Sequence, residues 1–267
     1  TPDRCSLEMR PLNIGTTLHE AVWSQRTAIL TSATIPTNLS ERIGLVPESF
    51  DACHVASPFD YEKNSVLYCA SHLPDPAQGV RDKAVHREIE ELINAAGGRT
   101  LALFTSYARL NAAYSDLENK LKFKVLKQDD YPKMELLRKF AEDESTCLFA
   151  TQSFFQGVDV PGQTLSLVII DRLPFPVPTD PLMSARRDAY GKSAFTAIDI
   201  PIAATKLAQA AGRLIRTQTD LGVVAVLDPR LVTKGYGKAI VEMLPPMEFT
   251  NNLERAKEFL AYAVKSR

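Results

Sequence analysis

The chain has 267 residues, 45% of them hydrophobic, and carries 31 basic against 32 acidic side chains for a net charge of −1. That length accommodates one large domain or two small ones around a proper core. The balanced charge excludes a globally basic nucleic-acid binder, so any contact with DNA or RNA must come from a local patch.

In chain order, residues 7–14 alternate weakly around Pro11 and suggest an edge strand. Residues 16–24 suggest a short helix capped by Thr16 or Thr17, and 27–34 a short apolar strand ending in Thr-Ser-Ala-Thr. A short helix at 38–44 stops at Gly44, a turn occupies 57–60, and a strand spans 64–71. Residues 80–96 form an amphipathic helix with Val85, Ile89, Leu92, Ile93 and Ala96 on one stripe, ended by Gly97 and Gly98. Strands at 99–105, 123–126 and 146–150 then alternate with helices at 107–121 and 132–144. A strand at 165–171 leads through a Pro-rich loop, 173–181, to helices at 180–190 and 203–216; a strand at 223–227 and helices at 235–243 and 251–264 close the chain. Alternating strands and helices from residue 64 onward predict an α/β fold, a mainly parallel sheet covered by helices on both faces.

Cys5, Cys53, Cys69 and Cys147 are scattered with no C-x-x-C pair. No metal site is legible, and the four read as reduced thiols of an intracellular protein. His19, His54, His72 and His86 show no mutual spacing and read as surface or packing residues. No apolar run reaches about 18 residues, so no membrane span is expected. The chain starts at Thr1 without Met or an apolar leader and reads as a piece of a longer one.

Three stretches carry chemistry. Residues 104–107 (Phe-Thr-Ser-Tyr) follow a strand, where Ser106 and the next helix start can hold a phosphate. Residues 150–162 form a strand and a tight loop in which Gly157 and Gly162 allow close backbone approach and Asp159 can orient an arginine or a ribose hydroxyl. Residues 207–216 read as a helix on which Gln209, Arg213 and Arg216, spaced i, i+4 and i+7, share one face. Gly212 inside that helix suggests close approach of another group. All three stretches can meet on one edge of the sheet. The residues leave two readings open: a nucleotide and nucleic-acid phosphate site, or an oligoanion surface without catalysis. A solvated face is the default for Arg172, Arg186 and Arg187, and Tyr107 and Phe154 read as core. The phosphate-gripping Gly-x-x-x-x-Gly-Lys-[Ser/Thr] loop is absent, and Gly191-Lys192-Ser193 is a decoy with no buried strand before it. Arginines without such a loop or a metal carboxylate cannot hydrolyse a nucleotide alone, but can complete a site supplied by another lobe.

Taken together, these stretches resemble the second RecA-like motor lobe of a superfamily 2 helicase of the DinG/XPD group, nearest the bacterial DinG type. Residues 31–34 resemble motif III, 103–107 motif IV, 153–162 motif V and 209–216 motif VI; 57–60, 173–175 and 180–181 match the group's connecting segments. Phe155 stands where many relatives carry Trp. The resemblance implies a RecA-like three-layer sandwich, with residues 1–35 a remnant or border of the first motor lobe and 36–267 the second. It implies that Arg213 and Arg216 reach the γ-phosphate as arginine fingers and that Gln209 senses it or positions water. Gly157, Asp159 and Gly212 would lie on the nucleotide side. Thr105, Ser106, Ser153, Ser32 and Thr34 would contact single-stranded DNA or link hydrolysis to it. ATP and Mg²⁺ would be held mostly by the first lobe, as would any iron–sulfur cluster. The expected whole is a cytoplasmic bacterial helicase moving 5′ to 3′ in DNA repair or replication, this part being inactive alone. The rival is a nucleic-acid-binding or regulatory module with a relic motor fold.

Overall fold

The computed structural model describes residues 9–32, 35, 38–77, 81–151, 154 and 165–266. The chain divides into two compact units, one of Thr1–Ala56 and Phe175–Ile202, the other of Ser57–Pro174 and Ala203–Arg267.

The first unit opens with α1 (Gly15–Leu18), which continues into a wide π-type turn over His19–Trp23; α2 (Leu39–Arg42) follows. Gly44 ends α2 at φ +74°, and a Cβ there would sit 2.3 Å from the Gly15 carbonyl oxygen, so only glycine fits. Trp23 donates its ring N–H to the Ile43 carbonyl at 2.6 Å. The expected strands at 7–14 and 27–34 do not form over their described parts, 9–14 and 27–32. A strand needs a ladder partner for its backbone groups, and the described residues of this unit hold no strand to supply one. Ile29 and Leu30 consequently stand 87% and 50% exposed.

The second unit starts with α3 (Tyr61–Asn64), capped by Asp60, and β1 (Ser65–Cys69). There follow α4 (Asp82–Ala95), β2 (Thr100–Phe104), α5 (Tyr107–Leu117), β3 (Val125–Lys127), α6 (Lys133–Glu142), β4 (Cys147–Thr151) and β5 (Leu167–Ile170). Next, α7 (Pro181–Tyr190) returns to the first unit and α8 (Ile200–Ala211) leads back to β6 (Gly222–Val226). The chain ends with α9 (Arg230–Thr233), α10 (Gly237–Val241), β7 (Glu248–Thr250) and α11 (Leu253–Lys265). Among the described residues the strands make one seven-stranded sheet in the order β3-β4-β2-β5-β6-β1-β7. Every pairing is parallel; Ser65 faces Gly222, and Thr100 lies between Cys147 and Leu167.

The predicted α/β class is therefore present, and its cause is visible strand by strand. β1, β2, β4, β5 and β6 are buried at every position, as continuous apolar strands covered on both faces must be. The α4 stripe of Val85, Ile89, Leu92, Ile93 and Ala96 packs into one core cluster with Leu110 and Leu117 of α5, Phe259 and Leu260 of α11 and Val66 and Phe149 from the sheet. Each such Leu or Ile contributes about 1.5–3 kcal/mol by leaving water. Gly97 and Gly98 end the α4 segment at φ +63° and +84°, as the sequence suggested. Neither β7 nor α9 was expected.

Candidate nucleotide and nucleic-acid contacts

α8 buries Ala203, Ala204, Leu207, Ala208 and Ala211 and exposes Gln209. Its last α-type bond runs from Gly212 N–H to the Ala208 carbonyl at 2.8 Å. Arg213 then bonds back only three residues, to Ala210 at 3.2 Å, and Leu214 to Ala211 at 3.0 Å, the tightening usual at a helix end. The helix thus stops at Ala211, not Arg216, and Gln209, Arg213 and Arg216 do not share a helical face. Among the described residues, a Cβ on Gly212 would meet only its own helix, the Ala208 oxygen at 3.3 Å and the Gln209 oxygen at 3.9 Å. Beyond it, Leu214 and Ile215 are buried. The buried Asp220 carboxylate accepts the N–H groups of Arg216 and Thr217, both at 2.8 Å. Gln209 therefore sits in the last helical turn, Arg213 in the tightened turn and Arg216 in a turn tied by Asp220.

A second polar cluster lies where β2, β4, β5 and β6 end. Thr105 and Ser106 are exposed between β2 and α5, and Ser106 caps α5 by accepting the Arg109 N–H at 3.4 Å. Asp171, just after β5, is fully enclosed. Its Oδ1 accepts the Thr105 N–H at 3.0 Å and its Oδ2 the Arg109 Nε–H at 2.6 Å. Burial pushes the Asp171 carboxyl up, and the Arg109 guanidinium opposes that shift. Arg81, 1% exposed, donates to the Pro74, Asp171 and Leu227 carbonyls. Asp228, after β6, receives the Leu173 N–H at 2.9 Å and the fork of Arg230. Gln128 accepts from Thr151 at 2.7 Å and donates to the Tyr107 hydroxyl at 2.5 Å.

The three stretches expected to meet do not share one edge. All strands run parallel, so Thr105 and Ser106 lie at the carboxyl edge. The 216–220 turn lies beside the start of β6, where Asn64, which precedes β1, donates to the Gln218 carbonyl at 3.0 Å. That is the amino edge, the two being separated by a five-residue strand, about 17 Å. Gly157, Asp159, Ser153 and Thr34 lie outside the described residues. Ser32 is exposed in the first unit and helps line an apolar hollow of about 530 Å³ with Leu18, Trp23 and Ile29.

Tyr107 is not core: the residue is 47% exposed, whereas Phe154 is 8% exposed. Arg187 forks Asp199, with Nη2 at 2.7 Å, instead of facing solvent unpaired. His86 meets Asp116 at 2.9 Å and His72 meets Glu88 at 3.3 Å. Cys69 and Cys147 are free and buried, and burial pushes both thiols up to about 12. Among the described residues no group of three or more His, Cys, Asp or Glu could hold a metal ion. Among them, too, no helix is long and apolar enough to cross a membrane.

A family model for the helicase C-terminal domain matches residues 89–247. The chain belongs to that family. It is 42% identical over 267 residues to the ATP-dependent helicase DinG of Mycobacterium tuberculosis, an alignment covering 96% of this chain and 40% of that protein. It is 35% identical over 265 residues to the ATP-dependent DNA helicase YoaA of Escherichia coli, covering 96% and 41%. This helicase C-terminal domain therefore spans about two-fifths of the length of the curated relatives it matches. A solved XPD helicase structure superposes with a TM-score of 0.54 at 17% identity, over 70% of this chain and 36% of that one, which shows the RecA-like motor-lobe fold.

The Asp171–Arg109–Arg81 network was missed because nothing in the linear sequence marks a strand-terminal aspartate as buried. The signal available was Asp171-Arg172 directly after an all-apolar strand, a placement where a carboxylate cannot remain unpaired.

Proposed function

We propose that this chain is the second motor lobe of an ATP-dependent DNA helicase of the DinG type, and that it acts only together with a first lobe. The observation that carries this reading is the 42% identity to an ATP-dependent helicase across 96% of the chain. Arg213 and Arg216 donate guanidinium N–H groups to oxygens of the transferring γ-phosphoryl as charge develops there, the role of an arginine finger. Gln209, exposed one turn earlier, positions water or senses the γ-phosphate. Mg²⁺ neutralises phosphate charge when bound, and its ligands belong to the first lobe, as do most contacts to ATP. Gly157 and Asp159 couple nucleotide state to lobe closure, and Gly212 frees the helix end that bears the arginines. Thr105, Ser106 and Ser153 contact the single-strand backbone; Ser32 and Thr34 link it to hydrolysis. Residues 1–35 border the first lobe. The exposed Ile29 and Leu30 fit a strand whose sheet lies in that lobe. The parent is read as a cytoplasmic bacterial enzyme moving 5′ to 3′.

The separation of the arginine turn from Thr105 and Ser106 supports this division of labour. One edge serves a nucleotide gripped elsewhere, and the other serves the strand. The test is ATP turnover of the longer parent with and without single-stranded DNA, beside its Arg213→Ala variant. Expected are DNA-stimulated turnover, a loss of about 10³-fold or more in the variant, and no turnover by residues 1–267 alone. A variant that keeps its turnover overturns the finger role. A parent that binds DNA but hydrolyses nothing makes the binding module the better reading.

A further inference from the structure

The enclosed Asp171 carboxylate has no place in the machinery above, yet it joins two groups at the strand-facing edge. Its Oδ1 holds the Thr105 N–H at 3.0 Å, and its Oδ2 lies 3.5 Å from the Thr105 hydroxyl and 2.6 Å from Arg109 Nε. Arg109 Nη1 lies 3.2 Å from Asp82, so a second carboxylate fixes the other side of the guanidinium. Nη2 bonds to neither of them. Arg109 is 17% exposed and comes from the first turn of α5, beside the exposed Thr105 and Ser106.

A buried ion pair of this kind gains little stability over an apolar pair of equal volume. What it does supply is a fixed direction. The guanidinium is a rigid planar fork, and clamping it on two sides leaves its last donor edge in one orientation. Thr105 is held by backbone and hydroxyl to the same carboxylate. The edge therefore presents the guanidinium beside the exposed Ser106 hydroxyl, which accepts the Arg109 N–H and keeps its own O–H to donate, a combination suited to one phosphodiester group.

We propose that Asp171 is a positioning residue for strand binding, holding Arg109 beside the Thr105–Ser106 turn to receive one backbone phosphate of single-stranded DNA. This rests on the reading of Thr105 and Ser106 as strand contacts, and extends it to Arg109, which touches the phosphate, and to Asp171, which acts through it.

The experiment uses the longer parent with Asp171→Asn, Arg109→Gln and the double variant. Asparagine keeps the shape of Asp171 and an acceptor for the Thr105 N–H but removes the charge that orients Arg109. Affinity for a fluorescent oligodeoxythymidine is read by anisotropy across a salt series, and ATP turnover is read against DNA concentration. Expected for Asp171→Asn are about tenfold weaker binding and a salt slope shallower by about one unit, the loss of one phosphate contact. The DNA concentration for half-maximal stimulation rises by about the same factor, while turnover at saturating DNA stays within about twofold. The double variant binds no more weakly than Arg109→Gln alone, because both act on one contact.

If Asp171→Asn lowers the melting midpoint but leaves the salt slope and half-maximal concentration at parent values, the residue is structural and the proposal fails. It also fails if the two single effects add. A parent that binds no strand sinks the underlying reading. A parent that binds, and is weakened by Arg109→Gln but not by Asp171→Asn, sinks only the positioning role.

Discussion

Asp220→Ala separates the stability of the arginine turn from its chemistry. Asp220 is 3% exposed, and one oxygen takes two backbone N–H groups at 2.8 Å, those of Arg216 and Thr217. Both are hydrogen bonds to a carboxylate, and losing such a partner leaves each donor to water or to nothing. Arg216 is half-buried and Thr217 exposed, so water replaces part of the loss, and the expected cost is about 2–4 kcal/mol for the pair. Alanine also frees the backbone at Arg216, and with Arg216 in the finger role proposed above a shift of about 1 Å lowers rate by up to about 10²-fold. Urea denaturation of the chain and ATP turnover of the longer parent are measured side by side, with Asp220→Asn, which retains one acceptor oxygen, as the intermediate case. A midpoint change worth less than about 1 kcal/mol would show that the turn does not depend on Asp220. The expected loss of about 2–4 kcal/mol accompanied by parental turnover would show that the turn does not set Arg216.

Two further perturbations test the fold. Gly98→Ala places a Cβ 1.8 Å from the Ser145 carbonyl oxygen at a φ of +84°, so the turn into β2 must shift; a loss of about 3 kcal/mol or more is expected, and an unchanged thermal midpoint would refute the close approach. Asp116 is held below the ordinary carboxylate range, first by Lys120 and then by His86. Its contribution is therefore present above the unfolded pKa near 3.9 and is lost as pH falls through the lower folded value. Asp116→Asn should flatten the acid limb of the stability curve below about pH 4, and an acid limb identical to the parent's would count against the pairing.

Where a segment's own pattern decided its structure, the sequence was readable. The apolar runs at 100–104, 147–151 and 167–170 have no alternative to a doubly covered parallel strand, and the α4 stripe at 85, 89, 92, 93 and 96 is buried as its spacing demands. Where a distant partner decided it, the reading failed. Residues 27–32 have a strand's composition but no ladder among the described residues. The helix at 200–211 was extended to Arg216 because Arg213 and Arg216 fit a helical spacing. Gly212 and the pull of Asp220 on two N–H groups end it earlier, and Asp220 lies beyond the window in which a helical pattern is judged. β7 is Glu-Phe-Thr, three residues with no apolar run, and its place beside β1 rests on β1 being left with an open edge. Asp171 shows the same limit at the site: its partner is Arg109, and only the sheet brings them together.

The sheet order also governs how the chain can be made. β3, β4, β2 and β5 neighbour one another and all lie between residues 100 and 170, so that half can zip as it emerges from the ribosome. β1 leaves earlier still, yet its partners are β6 and β7, beginning at Gly222 and Glu248. Throughout that interval Val66, Leu67 and Tyr68, buried in the finished sheet, are an unpaired apolar strand that slow, non-local closure leaves open to aggregation. A chain interrupted before β6 would keep them so, which makes the C-terminal quarter the part whose synthesis rescues the beginning of the sheet.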